Sequence, residues 1–473
     1  MRKFLLTVLV VAGLCLLARP AVDSYWIRSY GGHLNDDAVS VQATSDGGAI
    51  AAGVGEYIIL SPIGHYNGKI WLLKTKPAGA LQWRRDFELG GEHDEVGSVR
   101  QTSDGGYVVA GSTMIKLSGT LRYDTDPFLL RTTAAGPPKS CYAFGGMWRD
   151  LWQAAKETSD GDLVAGGEVA WKEGGVPSIM AAKIGPSGAV RWCKAFVGEH
   201  YSSLWDILQT SDGGYLCVGF TWSYGAGETD GWLIRLNAKG GLVWQKTYGG
   251  AGSDTLRSAV ETPDGGFVAA GGLEVSDERK TDAWVLRLDG KGNILWQTAI
   301  GGDEYDGAQG VVRIGDDGFV FSGSSSSLVS SGTVELPKAI LVKLDQNGKL
   351  VWQKRFGRSN GSESLRAADL TARGSLLCAG YTNVGSAYYH DMLLIKASPS
   401  GGTTAACAGG SDPFAADASL TVIEANGKAG SSRATAKNVP LKPRLVTVKQ
   451  VKPKTFHAGD PCVNGSSADC GCR

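Results

Sequence analysis

Short segments in which apolar and polar residues alternate recur along this chain, separated by turns rich in glycine and aspartate. In the clearest copy, the pattern predicts strands at about 254–262, 266–271, 282–288 and 293–300. The segment 282–288 also carries β-branched and aromatic residues, as half-buried strands do. Asp264-Gly265 between the first two segments supplies the positive φ angles that a tight hairpin needs. No part of the chain after its apolar start has a helical period, so the pattern predicts an all-β protein.

The four-strand unit repeats about seven times, with a period of roughly 52 residues that is typical of one propeller blade. Two markers keep this period, one an aspartate in the first turn and the other an aromatic residue after a later glycine. The turn marker is Asp46, Asp104, Asp160, Asp212, Asp264 and Asp316, with Arg373 in the seventh position. The aromatic marker is Trp83, Trp192, Trp244, Trp296 and Trp352, with Cys141 standing in once. The sequence therefore predicts a seven-bladed β-propeller of four-stranded blades.

The two ends of the repeat region complement each other. Residues 25–30 match a fourth strand without the other three, whereas the seventh repeat supplies only strands at about 363–371, 375–380 and 391–397. We expect residues 25–30 to pair beside 391–397 and complete the seventh blade, which hides the sheet edges of an open ring. The resulting division is a signal peptide at 1–21, a propeller at 22–402 and an irregular C-terminal tail at 403–473. The tail is either an extended segment lying on the propeller, which we favour, or a small disulfide-tied appendage.

The start of the chain has the pattern of a secretory signal. Arg2 and Lys3 precede an apolar run from Phe4 to Ala18, which has the length of a signal peptide and is short for a membrane span. We expect an exported protein, extracellular, on the cell surface or periplasmic, with no membrane span in the mature chain. An uncleaved membrane anchor is the alternative.

Export makes disulfides available to the cysteines. Cys217 and Cys378 occupy the same position of a second strand, so we predict buried free thiols there. We predict that the tail cysteines are oxidised and that Cys141 and Cys193 could pair with them. The tail cysteines are Cys407, Cys462, Cys470 and Cys472. A metal site at the last two is the alternative that we favour less.

Composition agrees with a propeller and excludes one class of partner. The chain has 68 glycines and 14 tryptophans, which suit turns and the packing between blades, and its formal net charge is zero. No basic patch is evident, so we expect no binding to nucleic acid. We expect a monomeric propeller.

The repeat resembles two known groups of propellers. The segment 102–111, Thr-Ser-Asp-Gly-Gly-Tyr-Val-Val-Ala-Gly, is similar to the repeat of exported bacterial and archaeal propellers that are mostly uncharacterised. Residues 289–296 and 345–352 are similar to the tryptophan-docking motif of quinoprotein propellers, in which the tryptophan packs between blades. Members of that family typically have eight blades and often an adjacent cysteine pair. Because this chain has seven repeats and no such pair, we interpret the motif as packing and expect no quinone.

The long, variable loops are predicted to share one face of the ring, and two sets of possible metal ligands lie there. A ring of acidic residues opens the first strands: Asp36, Asp94, Asp150, Asp254 and Asp306, with Ser202 and Glu363 in the other two blades. We interpret each Asp as an acceptor for backbone N–H groups of its own loop. The alternative is calcium or another divalent cation at the channel mouth. The candidate metal ligands are His33, His93, His200, Asp36 and Asp94. We expect no cofactor otherwise.

Aromatic residues on the same face are the candidate ligand contacts. Trp148, Trp171, Trp222 and Tyr224 belong to blades three and four and lie in loops whose length differs between repeats. Exposed aromatic rings with polar neighbours suit sugars or protein partners. Trp152 and Trp205 fall inside first strands and are predicted to be core residues.

No catalytic residue can be assigned, because the chain has no phosphate loop, nucleophile elbow or haem motif. The function we favour is a non-catalytic exported binding or scaffold propeller that recognises a protein or a polysaccharide on its long-loop face. The alternative is a carbohydrate-active enzyme with its site among the face loops, since propeller sites are assembled from different blades.

Overall fold

The structure is a computed structural model, and it describes most of the propeller together with short segments of the tail. The described residues are 24–32, 34–57, 68–91, 93–116, 123–144, 149–170, 175–276, 279–327, 336–357, 361–383 and 389–403, and in the tail 415–417, 421–423, 428–431, 435–438, 443–445, 449–451 and 457–459. The predicted signal peptide and the tail cysteines lie outside these residues.

Seven antiparallel sheets form the ring, and each blade pairs its strands in chain order. The first strand, β1 (Trp26–Gly31), belongs to the last blade. Blades one and two contain β2 (Asn35–Ala43), β3 (Ala49–Tyr57), β4 (Lys69–Thr75), β5 (Leu81–Glu88), β6 (His93–Gln101), β7 (Tyr107–Lys116), β8 (Tyr123–Thr132) and β9 (Pro138–Phe144). Blades three and four contain β10 (Asp150–Glu157), β11 (Leu163–Val169), β12 (Ser178–Ile184), β13 (Val190–Val197), β14 (Ser202–Gln209), β15 (Tyr215–Thr221), β16 (Asp230–Leu236) and β17 (Leu242–Gly249).

The remaining blades follow the same order. Blades five and six contain β18 (Thr255–Glu261), β19 (Phe267–Ser276), β20 (Arg279–Leu288), β21 (Ile294–Gly301), β22 (Asp306–Arg313), β23 (Phe319–Ser325), β24 (Lys338–Leu344) and β25 (Leu350–Phe356). Blade seven contains β26 (Glu363–Leu370), β27 (Leu376–Thr382) and β28 (Asp391–Ala397). The described part contains no helix, and so none that could cross a membrane. The seven-bladed, all-β prediction is confirmed.

The ring closes as the sequence predicted. Strand β1 pairs antiparallel with β28, with Trp26 opposite Lys396 and Tyr30 opposite Met392. The N-terminal segment thus supplies the fourth strand of the seventh blade. Strand one of each blade lies next to strand one of its neighbours, so these seven strands surround a central channel.

The tail adds one short strand to the outer edge of every blade. Its strands are β29 (Ala415–Asp417), β30 (Thr421–Ile423), β31 (Lys428–Ser431), β32 (Thr435–Asn438), β33 (Pro443–Leu445), β34 (Lys449–Val451) and β35 (His457–Gly459). They pair in turn with blades six, five, four, three, two, one and seven. The tail therefore runs around the ring against the direction of the repeats and covers one edge per blade.

An aromatic ring from the fourth strand of each blade packs on the turn between the third and fourth strands of the next blade. The contacted residue is always a glycine with φ between 74° and 97°. The seven pairs are Trp26–Gly79, Trp83–Gly136, Tyr142–Gly188, Trp192–Gly240, Trp244–Gly292, Trp296–Gly348 and Trp352–Gly401. A Cβ on Gly240 would lie 2.7 Å from Cδ2 of Trp192, so the ring fits only because the turn residue has no side chain. In blade two the ring comes from Tyr142 rather than from Cys141.

The described cysteines are all free and buried: Cys141, Cys193, Cys217 and Cys378. The prediction for Cys217 and Cys378 is confirmed. Cys141 and Cys193 do not pair with the tail, because both side chains point into the packing between blades rather than toward the outer edge. Oxidation of the tail cysteines stays a prediction.

We expect Gly240→Ala to lower the free energy of unfolding by more than Gly265→Ala, measured by urea denaturation. Both glycines have nearly the same φ, 74° and 76°, but a Cβ at Gly265 would meet nothing within 4 Å. The left-handed backbone alone costs a non-glycine residue about 1–2 kcal/mol. Gly240→Ala should lose about 1–3 kcal/mol more, because the Trp192 ring must move. Equal losses would mean that the packing of the ring on the turn contributes nothing.

Removal of residues 404–473 should leave the ring folded but expose the outer edge of every blade. An unpaired edge strand offers N–H and C=O groups to other chains. We therefore expect a lower melting temperature and concentration-dependent association, measured by calorimetry and light scattering. A truncated chain that is monodisperse and melts with the full chain would show that the tail strands do not protect the edges.

Candidate functional site

One residue in the first strand of every blade bulges out of its sheet. The pairing of strands one and two skips this residue, so that two residues face one on the neighbouring strand. The bulged residues are Val39, Gly97, Gln153, Trp205, Arg257, Gln309 and Arg366. A bulge breaks the regular alternation of a strand, and in every blade it turns the bulged residue toward the channel.

All seven bulged residues line one cavity of about 710 Å³ in the channel. The remaining wall comes from blades one, two and seven: Asp37, Val54, Tyr57, His93, Glu95, Val96, Ser364 and Tyr381. The volume falls in the range of small-molecule sites, roughly 300–1,000 Å³. The wall holds two carboxylates and two guanidinium groups, so a ligand there meets charges of both signs.

Asp37 is the buried carboxylate of this cavity, with 10% of its side chain exposed. Its Oδ2 accepts hydrogen bonds from the Tyr57 hydroxyl at 2.8 Å and from Arg366 Nη2 at 3.1 Å. Nδ1 of His390 lies 3.6 Å from Oδ1. Burial alone would raise the pKa of Asp37, but His390, Arg366 and Tyr57 outweigh burial and lower this pKa below its ordinary value. Asp37 is therefore an ionised carboxylate at neutral pH.

A strained backbone position brings Tyr57 to Asp37. Glu56 has a φ of 56° and is the one non-glycine residue of the described part with positive φ. Its N–H donates to Asp36 Oδ1 at 2.7 Å, which holds the chain in this conformation. Such conformations cost about 1–3 kcal/mol and occur often at functional sites. Burial and the charge of Asp37 raise the pKa of Tyr57, so its hydroxyl remains a donor.

Glu95 is the exposed carboxylate of the cavity, with 55% of its side chain accessible. Its Oε1 lies 3.1 Å from Nε2 of His93, and this hydrogen bond lowers the pKa of Glu95 below its ordinary value. Asp37 and Glu95 occupy the same strand position in neighbouring blades, because each lies two residues before the bulged residue of its first strand. They differ in that one is enclosed and the other open to a ligand.

The opposite wall carries Arg257 and Trp205 from blades five and four. The guanidinium carbon of Arg257 lies 3.8 Å from the centroid of the Trp205 ring, which is the geometry of a cation–π contact. Burial, assisted by the charge of Arg366, lowers the pKa of Arg257 to about 10, so the group stays protonated at neutral pH. Trp205 was predicted to be a core residue, and this is wrong because its bulge turns it into the channel. Trp152, one residue before a bulge, is buried as predicted.

The carboxylate ring is structural where its loops are described. Asp36 Oδ2 accepts the Gly32 N–H at 2.6 Å, and Asp254 and Asp306 accept the N–H groups of Gly250 and Gly302. Each carboxylate thus ties down the loop that leads into its own strand, as the sequence predicted. The side chains are buried, away from the cavity wall.

The candidate metal ligands do not come together in the described part of the chain. No three His, Cys, Asp or Glu side chains there are placed to hold a metal ion. His93 contacts Glu95, His200 lies exposed in a loop of blade four, and Asp36 and Asp94 accept backbone N–H groups. His33 lies outside the described residues.

The four aromatic candidates have different surroundings. Trp222 is 55% exposed, and its ring packs edge-on against Tyr201. Tyr224 is half-buried against Trp232, and its hydroxyl donates to the Val197 carbonyl at 3.2 Å. Trp148 and Trp171 lie outside the described residues. Ligand binding at these positions stays a prediction.

One signal in the sequence marks the bulged residues. Each lies three positions after the residue at the start of its first strand, as Val39 follows Asp36 and Arg366 follows Glu363. The opening position keeps an acidic residue in six blades, whereas the third position after it differs from blade to blade. A position that varies inside a constant repeat is not required by the fold, so it is free to serve a ligand.

Comparison with known proteins gives fold-level likeness only. No family model and no curated protein matches the chain. Among solved structures, the NanB sialidase of Streptococcus pneumoniae is 9% identical with a TM-score of 0.40, over 78% of this chain and 68% of the sialidase. The Bombyx mori GH32 β-fructofuranosidase BmSUC1 is 9% identical with a TM-score of 0.34, over 87% of this chain and 94% of the fructofuranosidase. A bifunctional GH43-CE protein of Bacteroides eggerthii is 11% identical with a TM-score of 0.27, over 86% of this chain and 64% of that protein.

These comparisons correct the favoured function. The non-catalytic binding or scaffold module is wrong as the first choice, because the similar solved structures are carbohydrate-active enzymes, which was the alternative. The likeness goes no further, since TM-scores of 0.40 and below transfer neither residues nor a reaction to this chain. What the cavity does must be argued from its own side chains.

The buried carboxylate ring makes stability depend on pH in a predictable direction. Burial raises the pKa of Asp36 from 3.8 to about 8, with Asp391 acting in the same direction. A carboxyl whose pKa is higher in the folded state stabilises the fold below pH 3.8 and loses that contribution as the pH rises to about 8. We expect the free energy of unfolding to fall across this window and Asp36→Asn to flatten the slope. Asp316→Asn, at a fully exposed turn position, should leave the slope unchanged. A slope that Asp36→Asn does not alter would contradict the assignment.

Proposed function

We propose that this protein is a carbohydrate-active enzyme that cleaves glycosidic bonds in its central channel. The observation that carries the proposal is the pair of carboxylates, Asp37 and Glu95, on neighbouring blades of one cavity. Glycoside hydrolysis uses two carboxyl groups beside the scissile bond, one to protonate the leaving oxygen and one as nucleophile or base. This cavity supplies both groups.

The different surroundings of the two carboxylates suggest their roles. Asp37 is buried and held ionised by Tyr57, Arg366 and His390, which suits a nucleophile or a base with fixed orientation. Glu95 is the more exposed group and reaches into the cavity, which suits the acid that protonates the leaving oxygen. Because His93 lowers the pKa of Glu95, the protonated form is abundant only at acidic pH.

The rest of the wall offers contacts that a sugar chain needs. The side-chain amides of Gln153 and Gln309 can exchange hydrogen bonds with hydroxyl groups, and Tyr381 adds an aromatic face. Trp222, exposed on the long-loop face, is a further contact for a chain that extends out of the channel. A polysaccharide is therefore the partner we propose.

The apolar run from Phe4 to Ala18 supports export, so we place the proposed substrate outside the cytoplasm. The repeat around 102–111 supports kinship with exported bacterial or archaeal propellers. We propose that the reaction needs no cofactor, because the groups that it requires are side chains.

We expect the intact protein to release reducing sugar from at least one member of a broad panel of neutral and acidic oligosaccharides. Its rate should already fall as the pH rises toward the ordinary pKa of a glutamate, since the pKa of Glu95 is lowered and its acid form is lost there. Asp37→Asn and Glu95→Gln should each lower kcat by about 10²–10⁴-fold, the usual contribution of acid–base catalysis. The measurement is a reducing-end assay over pH 3 to 9.

Melting temperatures of the two variants separate lost catalysis from lost folding. Asp303→Asn, in the loop that leads into blade six and outside the cavity wall, serves as the matched control and should keep full activity. Turnover that survives in both folded variants would overturn the proposal. So would an intact protein that cleaves no glycan of the panel.

A further inference from the structure

Arg257 is a charged side chain in the channel wall without an ionic partner in the described part of the chain. Its guanidinium contacts the Trp205 ring at 3.8 Å, and no described carboxylate forms an ion pair with it. Other arginines of the described part do have a partner of that kind. Arg235 and Arg287 bind the turn aspartates Asp212 and Asp264, each through Nη2.

Arg257 differs from the other guanidinium of the cavity in having no carboxylate partner. Arg366 donates to Asp37 at 3.1 Å, whereas the second carboxylate of the wall, Glu95, has His93 as its hydrogen-bond partner at 3.1 Å. Arg257 is thus the guanidinium of this wall whose N–H groups are not bound to a carboxylate. The charge of Arg366 lies close enough to repel that of Arg257, and an anionic group between the two would offset this repulsion.

The surroundings of Arg257 fix its direction. Its strand bulges at this residue, and the neighbouring blade presents the Trp205 face against which the planar guanidinium lies. A guanidinium held flat in this way offers its N–H groups in one plane, which matches the two oxygens of a carboxylate or a sulfate ester. The amides of Gln153 and Gln309, one blade away on either side of the Arg257–Trp205 pair, remain for neutral hydroxyl groups.

We infer that Arg257, with Trp205 and Arg366, forms a subsite for an anionic sugar. This inference rests on the proposed function, and it makes the substrate an acidic rather than a neutral glycan. The anionic group is a carboxylate, as in a uronic acid, or a sulfate ester. A carboxylate is planar and a sulfate ester is tetrahedral, but each presents at least two oxygens to a guanidinium fork, and the two groups differ in size.

The test is calorimetric titration of the full chain with three trisaccharides of similar size. The probes are a galacturonic acid trisaccharide, a sulfated neutral trisaccharide and an unmodified neutral trisaccharide. We expect at least one acidic probe to bind more tightly than the neutral probe, with an affinity that falls as salt is raised. The tighter of the two acidic probes identifies the anionic group. Equal affinity for all three would overturn the inference.

Variants of Arg257 then locate the contact. Arg257→Gln should weaken binding of the acidic probe roughly 10- to 100-fold, the effect of losing a hydrogen bond to a charged group, and leave the neutral probe unchanged. Arg257→Lys keeps the charge but loses the planar fork, so its loss should be smaller. Arg313→Gln, on the turn at the opposite end of blade six, is the matched control and should bind as the parent does. Unchanged acidic binding by a folded Arg257→Gln would overturn the inference.

The outcomes distinguish this inference from the proposed reaction. Acidic probes that bind through Arg257 in a protein that cleaves no glycan of the panel would leave the subsite standing and remove the catalytic proposal. Cleavage of a neutral glycan by a protein that ignores the acidic probes would do the reverse.

Discussion

The fold depends on one contact that is repeated around the ring, an aromatic side chain of one blade lying on a left-handed glycine of the next. Each blade supplies the aromatic ring of one such contact and the glycine of another, so the seven pairs form a closed circle. The contact requires φ near 80° and no Cβ, as Gly79 and Gly240 show. Propeller blades bury little by themselves, and their faces are stable only when stacked. The aromatic–glycine circle sets the spacing of the blades and hence the width of the channel.

A constant frame leaves specific positions free to vary. Asp36 and its counterparts hold the loops, and the turn aspartates such as Asp264 hold the opposite face through Thr262 and Arg287. The fold does not fix the residue type at the bulged position, which varies from glycine at Gly97 to tryptophan at Trp205. Because neighbouring blades contribute different residues, the cavity is asymmetric although the ring is nearly symmetric, and this suits an asymmetric ligand such as a sugar chain.

The repeat made the ring predictable, since the markers such as Asp264 and Trp296 act within one blade or between neighbours and recur at fixed spacing. The site was less accessible to sequence reasoning because it depends on a bulge, which shifts the alternation by one residue without a local motif. Trp152 and Trp205 show this: both are tryptophans of a first strand, yet one precedes the bulged position and is core, and the other occupies it and lines the cavity. The contacts of Asp37 with Arg366 and His390 join residues more than 300 positions apart, which no spacing rule reveals.

We propose that the bulged residues of all seven blades form one ligand site in the channel. A crystal structure of the protein soaked with a galacturonic acid trisaccharide tests this most directly. We expect sugar density inside the channel, with an acidic group at the Arg257 guanidinium and a glycosidic oxygen between Asp37 and Glu95. Density confined to the outer loops, for example at Trp222, with an empty channel would contradict it.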